Sequence, residues 1–195
     1  MKIAVLGGAF NPPHLGHLLI AKQILELTAY QEVWLMPCFR HTFQKSLVAS
    51  RHRLKMVKLI AANSKMKTSD FEIKNKLPGN TLETMTLLTK KFPDTQLAFI
   101  LGSDNLPTFK KWGHWRQLAT DFRLLIFPRP GFNYNLKKYG LDHPAYLFKL
   151  IKHPLLATSN ISSTLIRKRL EAGLSIDYLL PEKVREYIKK NRLYR

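Results

Sequence analysis

Cysteine is nearly absent from this 195-residue chain, where Cys38 stands alone. A single thiol forms no internal disulfide, and the sequence contains neither a Cys-x-x-Cys pair nor a cysteine-rich metal motif, which fits a reducing compartment. Long apolar runs are missing as well. Without a stretch of about 18 apolar residues no membrane span is expected, and the start Met1-Lys2-Ile3 lacks the basic and then apolar pattern of a secretory signal. The expected location is the cytoplasm, with no membrane partner. Acidic residues are scarce, since 13 Asp and Glu face 32 Lys and Arg for a formal net charge of +19. Repeats, low-complexity tracts and flexible linkers are also lacking, so nothing signals a second domain.

Apolar residues make up 45% of the chain and aromatics 11%, enough for a packed core and too many for a disordered chain. The length suits one domain, expected over 1–195 with a C-terminal helical segment from about residue 160. So large an excess of cations implies an anionic partner. Because the basic residues are scattered from Lys2 to Arg195 rather than gathered in one stripe, phosphorylated metabolites are expected before nucleic acid. A homo-oligomer stays open.

The run Ile3-Ala4-Val5-Leu6 reads as a buried strand, and the spacing of Leu18, Ala21 and Leu25 as one face of a helix. Further strands are expected at Glu32–Pro37, Gln96–Leu101, Arg123–Phe127 and, more briefly, Leu155–Ala157, with a weaker extended segment from Lys67 to Ile73. Helices are expected from a cap at Ser50 to about Ala62, from a cap at Thr81 to Lys91, in a short piece after Trp115, after Ile161-Ser162-Ser163-Thr164, and from Pro181 to Lys190. Residues 132–153 give little pattern beyond room for one helix. Strands alternating with helices point to an α/β fold, a Rossmann-like doubly wound parallel sheet with helices on both faces. Ligands of such folds bind beyond the carboxyl ends of the strands, where the strand order reverses.

Between the first strand and helix lies Gly7-Gly8-Ala9-Phe10-Asn11-Pro12-Pro13-His14-Leu15-Gly16-His17. Glycines let backbone approach a phosphate, prolines hold the loop ahead of the helix, and the helix N-terminus supplies unpaired N–H groups with positive potential. His14 and His17 add side-chain donors there. Zinc suits these histidines poorly, because the metalloprotease spacing is i, i+4 with an intervening Glu and no third ligand lies nearby, so no protein metal site is expected.

This loop resembles the His-x-Gly-His signature of the nucleotidyltransferase superfamily, and Ile161-Ser162-Ser163-Thr164-Leu165-Ile166-Arg167 resembles that superfamily's Ile-Ser-Ser-Thr-x-Ile-Arg signature. Leu97–Leu106 with Gly102-Ser103-Asp104-Asn105, Trp112, Arg129-Pro130-Gly131, and Leu179-Leu180-Pro181 through Arg195 are similar to bacterial nicotinate mononucleotide adenylyltransferases. The resemblance implies transfer of the adenylyl group of ATP to nicotinate mononucleotide, giving deamido-NAD and pyrophosphate, with magnesium. It implies catalytic roles for His14, His17 and Arg167, and ATP contacts from Gly7, Gly8, Ala9, Phe10, Gly102, Asp104, Ile161, Ser162 and Ser163. On the mononucleotide side it implies Thr81, Thr84, Trp112, Arg129, His41 and Lys45. Few carboxylates sit in these motifs, so Mg2+ is expected to be held mainly by the ATP phosphates and water.

Two departures stand out. The family's usual Pro-Pro-His-Lys loop after the second strand is replaced by Cys38-Phe39-Arg40-His41-Thr42-Phe43-Gln44-Lys45, and Asn80 stands where an aromatic residue is common. Nicotinamide mononucleotide or phosphopantetheine remain alternative acceptors. A non-catalytic, basic nucleic-acid-binding protein on the same fold is the alternative of a different class.

Overall fold

A computed structural model describes residues 1–41, 46–61 and 65–194. Its centre is a six-stranded sheet in the order β3-β2-β1-β4-β5-β6, with every pairing parallel. The strands are β1 Lys2–Gly8, β2 Glu32–Pro37, β3 Met66–Thr68, β4 Gln96–Gly102, β5 Arg123–Phe127 and β6 Phe148–Leu150. The helices are α1 Leu15–Leu27, α2 Ser50–Ile60, α3 Phe71–Lys74, α4 Thr81–Lys91, α5 Trp115–Asp121, α6 Ser163–Glu171 and α7 Glu182–Lys190. This is the Rossmann-like architecture expected from the alternation of strands and helices.

The sheet is apolar on both faces because helices cover both. Successive residues of a strand point to opposite sides, so Ala4, Leu6, Ala98, Ile100, Leu125 and Phe127 enter one core with Ile24, Met56, Ile166 and Val184. Val5, Phe99, Leu101, Leu124 and Ile126 enter the other with Met85, Leu88, Phe109 and Leu118. The inward positions Leu82, Met85 and Leu88 of α4 are buried as the spacing predicts, as are Val184 and Ile188 of α7, where Tyr187 is partly covered.

Several local expectations are corrected. Leu155–Ala157 is not a strand: Leu155 is 83% exposed, and the side-chain amide of Gln23 on α1 pairs with Ala157, donating to its carbonyl at 2.8 Å and accepting from its N–H at 2.7 Å. A side chain there does what a neighbouring strand would do. The last strand is instead β6, inside the stretch that gave little pattern, following a 3-10 turn at Leu136–Tyr139. Of the extended segment at 67–73 only the start is strand, and Phe71 to Lys74 turns into α3. Ser50 is the first residue of α2 behind a cap at Ala49; the helix ends at Ile60, and Ala62 lies outside the described residues. Thr81 does not cap α4. Asn80 does, its carboxamide oxygen accepting from the N–H groups of Leu82 and Glu83.

Strand order reverses between β1, which leads outward to β2 and β3, and β4, which returns to β1's other side. The loops leaving β1 and β4 therefore diverge and open a crevice.

Candidate active site

A cleft of about 500 Å³ occupies this crevice, within the size range of small-molecule sites. One side is formed by Gly7, Gly8, His17, Gly102, Asp104 and Arg129, the other by His41, Asn80, Thr81, Trp112 and Gly113. Elements far apart in sequence meet here because each follows a parallel strand out of the same edge.

The histidine pair opens α1. His14 caps that helix and is 3% exposed, its ring stacked on that of His17 with centroids 3.8 Å apart. The His14 backbone N–H donates to Nδ1 of His17 at 3.1 Å, so the proton of neutral His17 resides on Nε2. The ring of Phe10, whose φ of 47° lies in the left-handed region, packs 4.6 Å from His17. Burial, and then the Arg129 guanidinium, push the His17 imidazole down to about 3. Burial also takes His14 well below its ordinary value, with His17 and Arg129 acting in the same direction. Ligand-free, both rings are neutral.

Gly16 explains the spacing of the pair. A Cβ there would lie 3.0 Å from Nδ1 of His14 and 3.2 Å from the carbonyl of Ile161, so glycine lets the C-terminal segment close on the histidines without pushing either group aside. That segment is held at several points. Ser162 caps α6 by accepting from the Leu165 N–H, and the Ser163 hydroxyl donates to the carbonyl of Pro12 at 2.8 Å. Arg167 donates to the carbonyl of Asn11 at 2.7 Å and to the Thr164 hydroxyl. Asn11 in turn accepts from Tyr194 and from the Val48 N–H. The glycine loop and the serine-threonine segment thus form one assembly.

Arg129 stands beside Asp104 and Ile161. It donates to the carbonyl of Ile161 at 3.0 Å and lies 3.5 Å from Asp104, whose carboxylate also accepts from Asn105. On the opposite side, Trp112 presents its indole between Phe99 and Phe109, edge-on to the former, with its Nε1 buried and unpartnered. Gly113 admits the carboxamide of Asn80 closely, since a Cβ there would meet Asn80 Nδ2 at 3.1 Å. Asn80 therefore caps α4 and closes this end of the cleft at once.

Some expected residues stand back from the cleft. Thr84 is fully buried and donates to Glu72 Oε1 at 3.1 Å, so it supports the wall of the cleft. His14, Ala9, Phe10, Ser162, Ser163 and Arg167 do not line the cleft itself; they belong to the assembly of glycine loop, His17 and α6 behind it. Lys45 lies outside the described residues.

Other residues were not expected. Arg53, 1% exposed, donates to the carbonyls of Val48, Ala9 and Phe39, tying the glycine loop to the loop after β2. Its place on the inward face of α2 with Met56, Val57 and Ile60 was visible in the spacing, but an arginine there reads as a surface residue. Asn105, Thr108 and Glu72 also line the cleft; Glu72, adjoining Phe71 and Ile73, carried only a weak signal. Among the described residues no three His, Cys, Asp or Glu side chains are grouped to hold a metal ion.

The cytidylyltransferase-like family model matches residues 5–169. The chain is 34% identical over 200 residues to a nicotinate-nucleotide adenylyltransferase of Bacillus subtilis, covering 99% of this chain and 98% of that one. It is 35% identical over 208 residues to a probable nicotinate-nucleotide adenylyltransferase of Shewanella pealeana, covering 100% of this chain and 96% of that one. Among solved structures it is similar to a nicotinic acid mononucleotide adenylyltransferase of Plasmodium falciparum complexed with NaAD, with a TM-score of 0.85 and 26% identity over 99% of this chain and 97% of that one.

Proposed function

The chain belongs to the cytidylyltransferase-like family and, within it, with the nicotinate-nucleotide adenylyltransferases, and from that membership we propose that it joins ATP and nicotinate mononucleotide into deamido-NAD for NAD biosynthesis. The observation that carries this is the two-sided cleft, with a phosphate-type loop and His17 at one side and Trp112 with Asn80 and Gly113 at the other. Two nucleotides lying end to end need that arrangement.

The reaction needs no protein nucleophile. A phosphate oxygen of the mononucleotide attacks the α-phosphorus of ATP, a new P–O bond forms, and the bond to the β-phosphate breaks to release pyrophosphate. Direct transfer is supported by the state of Cys38, the cleft's thiol, which burial pushes up to about 11 and so keeps un-ionised. Catalysis then rests on positioning and on donors aimed at phosphate oxygens. His17 donates from Nε2 to the triphosphate, whose negative charge favours protonation of the neutral ring. Gly7, Gly8, Ala9 and Phe10 offer backbone to the same phosphates, and Arg167 and the α6 N-terminus at Ser162 and Ser163 complete the cradle. Arg129 belongs with this group, beside Asp104, which takes a ribose hydroxyl. Trp112 stacks on the pyridine ring, Thr81 and His41 line its mononucleotide, and Lys45 is assigned there by resemblance.

Magnesium fits these residues as a companion of ATP. Asp104 is already paired with Arg129, so the protein donors suit an ion carried by phosphates and water better than a carboxylate cage. Carried in that way, the ion would supply neutralisation of phosphate charge.

Pyrophosphate release measured with nicotinate mononucleotide, nicotinamide mononucleotide and phosphopantetheine tests the assignment. The nicotinate form is expected to give the highest kcat/KM, and equal or faster turnover of phosphopantetheine overturns it.

A further inference from the structure

Deep in the acceptor wall lies a carboxyl that the reaction above does not use. Glu72, in the single turn of α3, is 6% exposed and belongs to the lining of the cleft. Its Oε1 accepts the Thr84 hydroxyl at 3.1 Å, whereas Oε2 is buried without a hydrogen-bond partner. An ionised carboxylate would keep an unsatisfied anionic oxygen at that spot, which is costly in a desolvated wall. A protonated carboxyl puts a donor there instead.

The surrounding charges leave the protonated form accessible. Arg53 from α2 is a cation that acts on this carboxyl, but its guanidinium is occupied by the carbonyls of Val48, Ala9 and Phe39 and by the sulfur of Cys38. Glu83 on α4 opposes ionisation, and Cys38 at the end of β2 is a neutral thiol. Arg40 and His41 line the same cleft from the loop after β2. Burial outweighs the pull of Thr84, the Phe39 backbone and Arg53, and pushes the carboxyl up to about 7.

We propose that Glu72 is a specificity-determining residue of the acceptor half: in its protonated form Oε2 donates a hydrogen bond to an oxygen of the anionic mononucleotide while Oε1 stays on Thr84. The inference rests on the pyridine-mononucleotide function proposed above. A neutral carboxyl admits an anionic acceptor that a carboxylate would repel. Binding therefore takes up a proton, and affinity for the mononucleotide falls as pH rises through 7 while affinity for ATP does not follow.

The test measures KM for both substrates between about pH 6.5 and 8.5. Glu72→Gln keeps an acceptor for Thr84 and a donor in place of Oε2–H, but cannot titrate. The ratio of wild-type to Glu72→Gln KM for nicotinate mononucleotide is expected to rise about 25-fold across that range, with the ATP ratio constant within about twofold. A mononucleotide ratio that stays flat, or both ratios rising together as from a general loss of structure, overturns the proposal. Calorimetry of nicotinate mononucleotide binding to the wild type near pH 8, in two buffers of different ionisation enthalpy, needs no variant: net proton uptake is expected, and none or net release overturns the proposal. Should the wild type release no pyrophosphate with nicotinate mononucleotide at any pH, the functional assignment itself falls, and this inference with it.

Discussion

At the scale of single residues, the cleft presents neutral imidazoles at the place where the proposed phosphate contact would more simply be made by cations. His14 and His17 are held below their ordinary values by burial first, so protonation favours the unfolded chain, where the imidazole keeps its usual value near 6.5. Their contribution to stability is present above about pH 6.5 and lost as pH falls through that value toward the folded one. The ligand-free protein is expected to melt at a lower temperature at pH 5 than at pH 7, with His17→Ala narrowing the difference; an unchanged Tm across that interval refutes the neutral pair. The same variant should lose about 100-fold in kcat, the size of effect seen on removing one oxyanion donor, while its Tm at pH 7 moves by only a few degrees. Residual turnover within about tenfold of wild type contradicts a phosphate contact. These histidines were readable from the sequence because glycines and a helix start surrounded them. Arg53 and Glu72 were not, because a charged residue in a short helical pattern looks solvent-facing until the packing is known.

At the scale of elements, caps and edges decide what the sequence discloses. Long buried strands such as β1, β4 and β5 are apolar on both faces and were readable from composition alone. The edge strand β6 carries exposed Lys149 between two half-buried residues, a pattern too brief to distinguish, while the apolar Leu155–Ala157 drew attention and is no strand. Asn80 is the clearest case of one residue serving two purposes. As a departure from the family's aromatic residue it first leaves the choice of acceptor open; in place, it both caps α4 and lies against Gly113. Asn80→Ala should cost about 1 kcal/mol of stability, as caps do, and raise KM for the mononucleotide more than KM for ATP. Equal changes in the two constants would leave Asn80 a cap and nothing more.

At the scale of the whole molecule, the two cores on either side of the sheet keep the edge rigid while leaving the crevice between β1 and β4 open. The net charge of +19 gives the whole molecule a positive field, which raises the encounter rate of anionic nucleotides without adding contacts. Raising NaCl from about 50 to 500 mM is expected to lower kcat/KM for ATP several-fold and to leave kcat within about twofold, because screening acts on encounter rather than on the bound state. A salt-independent kcat/KM argues against steering. The bond from Tyr194 to Asn11, across 183 positions of sequence, has a consequence for biosynthesis. During synthesis the glycine loop emerges well before Ser163, Arg167 and Tyr194, which hold it. The loop is made early and finished late, so a chain interrupted between the two has a sheet taking shape but a glycine loop without the bonds that hold it.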